Sequence, residues 1–365
     1  MSILELIKAS GRWTVIGLGF LTAAEVAARV EDRLTWGAPL AERFSEERLT
    51  VRDSLGNHGR PHYQFKKWRM NNLGFRGADI APVPAEGVTR VALLGASETF
   101  GLYESPEHEY AVRLQQVMDS IAPHRWEIVN TGLPGLSLSS MIPYYRGLVA
   151  PIEPAYVLVY PSPSFYLEVN PLPPVYVIPR AGNPAEDGGL VLRFPSRARE
   201  SLKALVPAKL LSAYRAWSLQ RRRAGQPSDW VWHQVPPDRM ELMRGHVRML
   251  VDSIQASGAK PVLVTHTNRF MGAAADTLSA DRRRLTDLAS LYYPKASMTV
   301  MVAVDSAANQ VLREVALEKG AGVIEVEKRI PPTSAYFADY AHFTDAGAAA
   351  MAHLLAEGLQ RLGPR

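Results

Sequence analysis

Short apolar runs recur along this 365-residue chain at "RVALLG" (90–95), "WEIVNTG" (126–132), "AYVLVYP" (155–161), "KPVLVTH" (260–266) and "AGVIEVE" (321–327). Unbroken runs rich in Val, Ile and Leu are the pattern of strands buried on both faces. Between several of them lie "EYAVRLQQVMDSI", "MELMRGHVRMLVDSIQASG" and "AANQVLREVALEKG", whose apolar residues fall three and four apart, as on one face of a helix. Strands alternating with helices predict an α/β fold with three layers, a central parallel sheet covered on both sides. A last helix is expected from about Asp345.

Two regions break this alternation. Residues 31–88 read as an irregular lead-in, rich in the turn formers Gly, Pro and Asn, with "LGNHGRPHYQ", "NNLGFRGADI" and "APVPAEG". Residues 166–237 read as an insertion: a small β-hairpin or extended cap over "NPLPPVYVIPRAGNP" and "GGLVLRF", then a basic amphipathic helix through "SLKALVPAKLLSAYRAWSLQRRR". Such a helix could rest on anionic lipid or hold an acidic polymer; the alternative is a surface helix docked on the core with its charged side in water. The core is then 89–165 with 238–365.

The N-terminal pattern differs again. "RWTVIGLGFLTAA", Arg12 to Ala24, is nearly all apolar, and twelve residues of helix rise about 18 Å, short of the ~30 Å hydrocarbon layer. It becomes long enough only by tolerating Glu25 and running on through "VAARV". A signal anchor over residues 1–30 is the leading expectation; a cleaved signal peptide and an interfacial or buried helix are the alternatives. Lys8 and Arg12 on one flank are balanced by Arg29 and Arg33 on the other, so charge leaves the orientation open.

Composition changes this picture little. The 47% hydrophobic fraction is that of a globular protein, and the net charge of +5 gathers in one stretch, Arg197 to Arg223. The absence of cysteine excludes disulfides, thiolate metal sites and a thiol nucleophile. No nucleic-acid module accompanies the arginine triplets at 221–223 and 282–284, which read as solvated faces. His58 and His62 lie four apart, but the Gly and Pro between them argue against a metal-binding helix.

Candidate chemistry begins at "LLGASETFG". In a parallel α/β sheet, ligands bind beyond the carboxyl ends of the strands, and Ser97 follows the first core strand directly. Gly95 allows a tight turn there. A serine becomes a nucleophile when a base reaches it. "DYAHFTDAG" offers one: Asp339 and His342, three apart, let the carboxylate hold one imidazole nitrogen while the other faces the serine.

Three blocks in order, "LLGASETFG", "NTGLPGLS" and "DYAHFTDAG", resemble the SGNH (GDSL-like) hydrolase superfamily, with a flavodoxin-like sheet. The resemblance covers roughly residues 70–165 and 255–362, and the upstream "NNLGFRG" is similar to the lead-in of membrane-anchored bacterial members. It implies Ser97 as nucleophile, His342 as base, Asp339 as its orienting acid, and Gly135, counted from Asn130, as an oxyanion donor. Two positions depart from it. Ala96 replaces the usual Asp before the nucleophile, and in "VLVYPSPSFYL" Ser164 stands where an oxyanion-binding Asn is usual. Losing a positioned donor costs about 10²–10³ in rate. The resemblance implies a serine esterase or O-acyl (acetyl) transferase acting on an acylated carbohydrate, an exopolysaccharide or envelope glycan. It implies no metal or cofactor and no nucleic-acid partner, and it suggests polysaccharide biosynthesis machinery as a partner. The expected location is the bacterial inner membrane with the catalytic part periplasmic; cytoplasmic is the alternative. Ala96 and Ser164 also motivate a second reading, a catalytically weak or inactive carbohydrate-binding component. His266, with Asn268 and Arg269, could line the substrate pocket, the alternative being a histidine satisfied by local hydrogen bonds; Tyr160, Tyr166 and Tyr336 could stack on sugar rings, though tyrosines at strand ends and in insertions are more often packing residues.

Overall fold

Each apolar run forms a strand, and the five strands pair in parallel. In the computed structural model, which describes residues 3–53, 56–173, 192–272 and 279–364, the core strands are β5 (Thr89–Gly95), β6 (Trp126–Asn130), β7 (Tyr156–Tyr160), β8 (Lys260–Val264) and β9 (Gly322–Ile324), in the order β6-β5-β7-β8-β9. Counted along the chain, that is the flavodoxin-like order 2-1-3-4-5. The register sets Leu93 beside Asn130, Gly95 beside Tyr160, and Val264 beside Ile324. The chain therefore reverses its direction of growth between β5 and β7, and Ser97 leaves the sheet at this switch point, where open α/β sheets bind ligands.

Alternation along the buried strands divides the core. Val91, Leu93, Leu158 and Val262 face α3 (Tyr110–Ile121) and α10 (Asp345–Leu362), packing with Leu114, Met118, Met351 and Leu355. Ala92, Leu94, Val157 and Leu263 face the other way, with residues of α4 (Leu138–Tyr144), α7 (Pro237–Ala256) and α9 (Met298–Lys319). This is the three-layer arrangement predicted from the pattern.

The lead-in is less irregular than its composition suggested. It holds two small antiparallel pairs, β1 (Thr50–Asp53) with β2 (Gly56–Gly59) and β3 (Gln64–Phe65) with β4 (Trp68–Arg69). Before them, α1 (Ile3–Trp36) extends past the expected anchor boundary at residue 30. Within the insertion, the predicted hairpin falls largely on residues 174–191, outside the described residues. The predicted single helix is two, α5 (Phe194–Ala204) and α6 (Ala208–Arg223), because Pro207 takes the N-cap position of the second. α8 (Ala280–Tyr292) lies against α6, and Arg222 and Arg223 donate to the Leu291, Pro294 and Ala296 carbonyls. Arg222 and Arg223, of the triplet at 221–223 read as solvated, thus tie the helix down.

Candidate active site

A single helical turn, α2 (Ser97–Phe100), presents the serine. The turn packs so closely on its strand that a Cβ at Gly95 would lie 1.9 Å from Thr99 Oγ1 and 2.8 Å from the Tyr160 carbonyl. Glycine is required here by close approach. The lead-in holds the turn from behind: the buried Arg76 of "NNLGFRG" donates to the Gly101 carbonyl at 3.0 Å, pairs with the buried Glu109, and lies 4.7 Å over the Phe100 ring.

The loop before α10 brings the other two residues. An antiparallel bridge between Phe337 and Phe343 closes it, and Ala338 N–H donates to the His342 carbonyl at 2.8 Å. Inside this loop one oxygen of Asp339 accepts the backbone N–H groups of Ala341 and His342, both at 2.9 Å. Its other oxygen lies 2.8 Å from His342 Nδ1, and His342 Nε2 lies 2.8 Å from Ser97 Oγ. Ser97, His342 and Asp339 thus form one continuous hydrogen-bonded chain, assembled from opposite ends of the sequence.

The charges follow the geometry. Burial alone would raise the Asp339 carboxyl, but the hydrogen bond and charge of His342, with the two backbone donors, hold it below its ordinary value. Burial alone would lower His342; the hydrogen bond to Asp339 and the negative charges of Glu98, Asp339 and Glu104 raise it instead. An imidazole of raised basicity beside a hydroxyl is what proton abstraction from that hydroxyl needs.

The remaining predicted residues divide. Thr131 and Leu133 N–H groups donate to the Leu93 and Gly95 carbonyls and carry the second block to the Ser97 end of the sheet. Gly135 follows on that loop, exposed and with φ +80°, at the rim of a cavity of about 210 Å³ that Arg52, Asn57, Ser137, Ser140 and Glu168 also line. Asn130 is buried and turned to the backbone: its amide donates to the Thr99 carbonyl at 2.9 Å and accepts from Gly132 N–H at 3.0 Å, bracing two loops. Ser164 lies 3.1 Å from Ser162 Oγ, which donates to Glu98 at 2.9 Å. His266 and Asn268 line a narrow pocket with Ser162 and Ser164, but both are buried and bonded to Asp305. Arg269 is also buried, paired with Asp281.

Tyr160 and Tyr166 are core residues, stacked on His266 and bonded to His246, so neither reaches a sugar; Tyr336 is half-buried. The aromatic ring at the site is Tyr103, 55% exposed and 5.2 Å from the His342 ring. Sequence reasoning missed it, along with Glu98 and Asp305. Tyr103 had one available signal, its place six residues after Ser97 on the same loop.

The sheet order, with the serine after the first core strand and the Asp–His loop before the last helix, decides the architecture. The fold is a flavodoxin-like three-layer α/β sandwich. No family model matches it, and neither does any curated protein. Among solved structures it is similar to a lipase/acylhydrolase from Enterococcus faecalis (13% identity, TM-score 0.44, covering 76% of this chain and 99% of that one). It is also similar to an α/β hydrolase from the metagenome of Lake Arreo (13%, 0.42, 75% and 96%) and an acetylxylan esterase from Geobacillus stearothermophilus (12%, 0.41, 75% and 96%).

Proposed function

We propose that this SGNH-like chain is a serine esterase or O-acyltransferase acting on an acylated carbohydrate. The observation that carries the reading is the Ser97–His342–Asp339 chain, with both links at 2.8 Å. Ser97 Oγ attacks the acyl carbonyl carbon, its proton passes to His342 Nε2, and the carbonyl electron pair moves onto oxygen. Collapse of that intermediate breaks the ester C–O bond, and His342 returns the proton to the departing sugar hydroxyl. Water, or a second sugar hydroxyl, then collects the acyl group by the same steps in reverse. Asp339 fixes the imidazole tautomer and stabilises the imidazolium. The backbone N–H groups of Ser97 and Gly135, with the Ser164 hydroxyl, are the proposed oxyanion donors. Carbohydrate as the carrier is supported by the family resemblance and by the exposed Tyr103 ring beside His342, a face on which a sugar ring can lie.

The protein is proposed to sit at a membrane, periplasmic side, tethered by α1. The part of α1 before Glu25 exposes the apolar side chains Trp13, Val15, Ile16, Leu18 and Phe20, a surface that lipid can cover.

Labelling with a fluorophosphonate probe and turnover of p-nitrophenyl acetate test the chemistry. Wild type is expected to be labelled and active, and Ser97→Ala neither. An unlabelled, inactive wild type sinks the enzyme reading and favours the binding component motivated by Ala96 and Ser164.

A further inference from the structure

Beside the proposed triad lies a second chain of charged groups that the mechanism above does not use. Glu98, the residue after Ser97, is 4% exposed, and Ser97 Oγ lies 3.2 Å from its Oε2. Its Oε1 accepts from Ser162 Oγ at 2.9 Å and lies 3.6 Å from His266 Nε2, an ion-pair distance too long for a hydrogen bond. The other nitrogen of His266, Nδ1, is hydrogen-bonded to Asp305. Asn268 holds the second Asp305 oxygen, while Asn309 binds the His266 backbone at both N–H and C=O. An imidazole with a carboxylate at each ring nitrogen is held as the imidazolium. His266 is accordingly raised to about 9: burial opposes its charge, and Asp305 and Glu98 overcome that. Burial would raise Glu98 likewise, but His266 and the charge of His342 hold it at about 2.

We propose that Glu98 is a second catalytic carboxylate of this site, in contact with the Ser97 hydroxyl alongside His342 and kept there as an anion by the His266–Asp305 pair. The two contacts of Ser97 Oγ, 2.8 Å to His342 and 3.2 Å to Glu98, place that carboxylate within 6.0 Å of His342 Nε2. At that range an opposite charge stabilises the imidazolium that forms when Ser97 gives up its proton. Glu98 takes no proton in the reaction. It accepts the Ser97 hydrogen bond whenever His342 is already protonated, and the charges then alternate through Asp339, His342, Glu98, His266 and Asp305. A carboxylate serving only to fill space here would carry a desolvation cost that a neutral side chain avoids.

This inference rests on the esterase reading, and its test separates the two. The groups facing His342 are Asp339, Glu98, Glu104 and Tyr103, and those facing Glu98 are His266 and His342, with Tyr160, Tyr293 and Tyr340 behind them. Of these, Glu98→Gln removes one charge while preserving shape. The acid limb of kcat/KM for p-nitrophenyl acetate should move to lower pH by about one pH unit or more, the effect of deleting a nearby opposite charge. The His342 ring resonances, titrated by ¹⁵N NMR without substrate, should move equally. Asp305→Asn, which strips His266 of its counter-charge, should shift both in the same direction, and the double variant no further than Glu98→Gln. A folded Glu98→Gln with limb and titration both unmoved overturns the proposal, even if kcat falls, because a purely structural loss acts equally at every pH. Should Glu98→Gln fail to fold, Asp305→Asn decides by the same titration. If wild type shows no turnover and no labelling, the esterase reading fails, and the His342 titration alone still judges Glu98.

Discussion

Asp339 meets three donors at once, two backbone N–H groups on one oxygen and the His342 ring on the other. This division makes Asp339→Asn informative. The new amide's oxygen can keep both backbone bonds and hold the loop, while its NH₂ faces Nδ1 and forces the proton onto the nitrogen that must accept from Ser97. We expect turnover to fall about 10⁴-fold, the loss seen for this change in the serine protease triad, with thermal stability nearly unchanged; equal losses of both would indicate a structural role. His266 bears on stability instead. Its folded value of about 9 lies above an unfolded value near 6.5, so its contribution is complete below about 6.5 and is lost as pH rises through about 9. The melting temperature of wild type should therefore fall across that window, and the fall should be smaller in His266→Gln. Of these residues, Ser97, Asp339 and His342 were legible because each sits in a local block whose spacing expresses its geometry. Glu98 and Asp305 were not, because their partner His266 reaches Glu98 only through the β5-β7-β8 strand order and Asp305 only through the packing of α9 on β8. Tyr160 and Tyr166 were left between packing and sugar stacking for a related reason: a tyrosine at a strand end looks the same whether its ring points at substrate or into the core.

The one-turn helix α2 is too short to stand alone, and its support comes from the lead-in through Arg76. The Arg76 and Glu109 side chains are 3% and 8% exposed, so removing one leaves the other as a buried, unpaired charge. Arg76→Ala should cost about 3–5 kcal/mol by chemical denaturation and should lower the rate of Ser97 labelling as well. A stability loss below about 1 kcal/mol would mean that the turn is held by its strand alone. The elements were legible where burial was two-sided: each core strand is a continuous apolar run, and the helices keep their three- and four-residue spacing. β1 to β4 escaped notice because strands of two to four residues carrying Arg, Asp, His and Gly have no period to read. The insertion's helices depart from the docked alternative in a specific way. Leu210, Tyr214 and Trp217 share one face of α6 by spacing, all three are exposed, and Leu202, Leu205 and Val206 extend the apolar surface towards α5, near exposed Arg199 and Lys209. Because α5 packs on α1, with Phe194 against Phe20, we propose that this surface lies on the same membrane that α1 is proposed to enter. Leu210→Ser with Trp217→Ser should weaken binding of the protein to vesicles containing phosphatidylglycerol while leaving p-nitrophenyl acetate turnover unchanged. Undiminished binding by that double variant would remove the surface from contact with lipid.

At the scale of the molecule, Glu25 marks where the proposed anchor ends. It interrupts the apolar stretch, and as part of a spanning helix it would be a carboxylate in hydrocarbon. The structure gives it other work: its side chain accepts the N–H groups of Arg193 and Phe194 at 2.7 and 2.9 Å, at the start of α5. One and two turns further on, Arg29 donates to the Leu40 carbonyl, and Asp32 pairs with both Arg193 and Arg197. From Glu25 onward α1 therefore belongs to the folded body, and only the part before it is left for the membrane. A division at Glu25 has a consequence that a division at residue 30 or at the helix end does not. A chain starting at Glu25 should leave the membrane fraction and keep the melting temperature and p-nitrophenyl acetate turnover of the full protein in detergent. A chain starting at Gly37 loses Glu25 and Asp32 together, leaves the buried Arg193 without its carboxylates, and should melt several degrees lower, since roughly 1 kcal/mol moves the midpoint of a domain of more than 300 residues by about 1–2 °C and several such contacts are lost at once. If the two truncations melt alike, the second half of α1 contributes nothing to the fold and the boundary lies at its end.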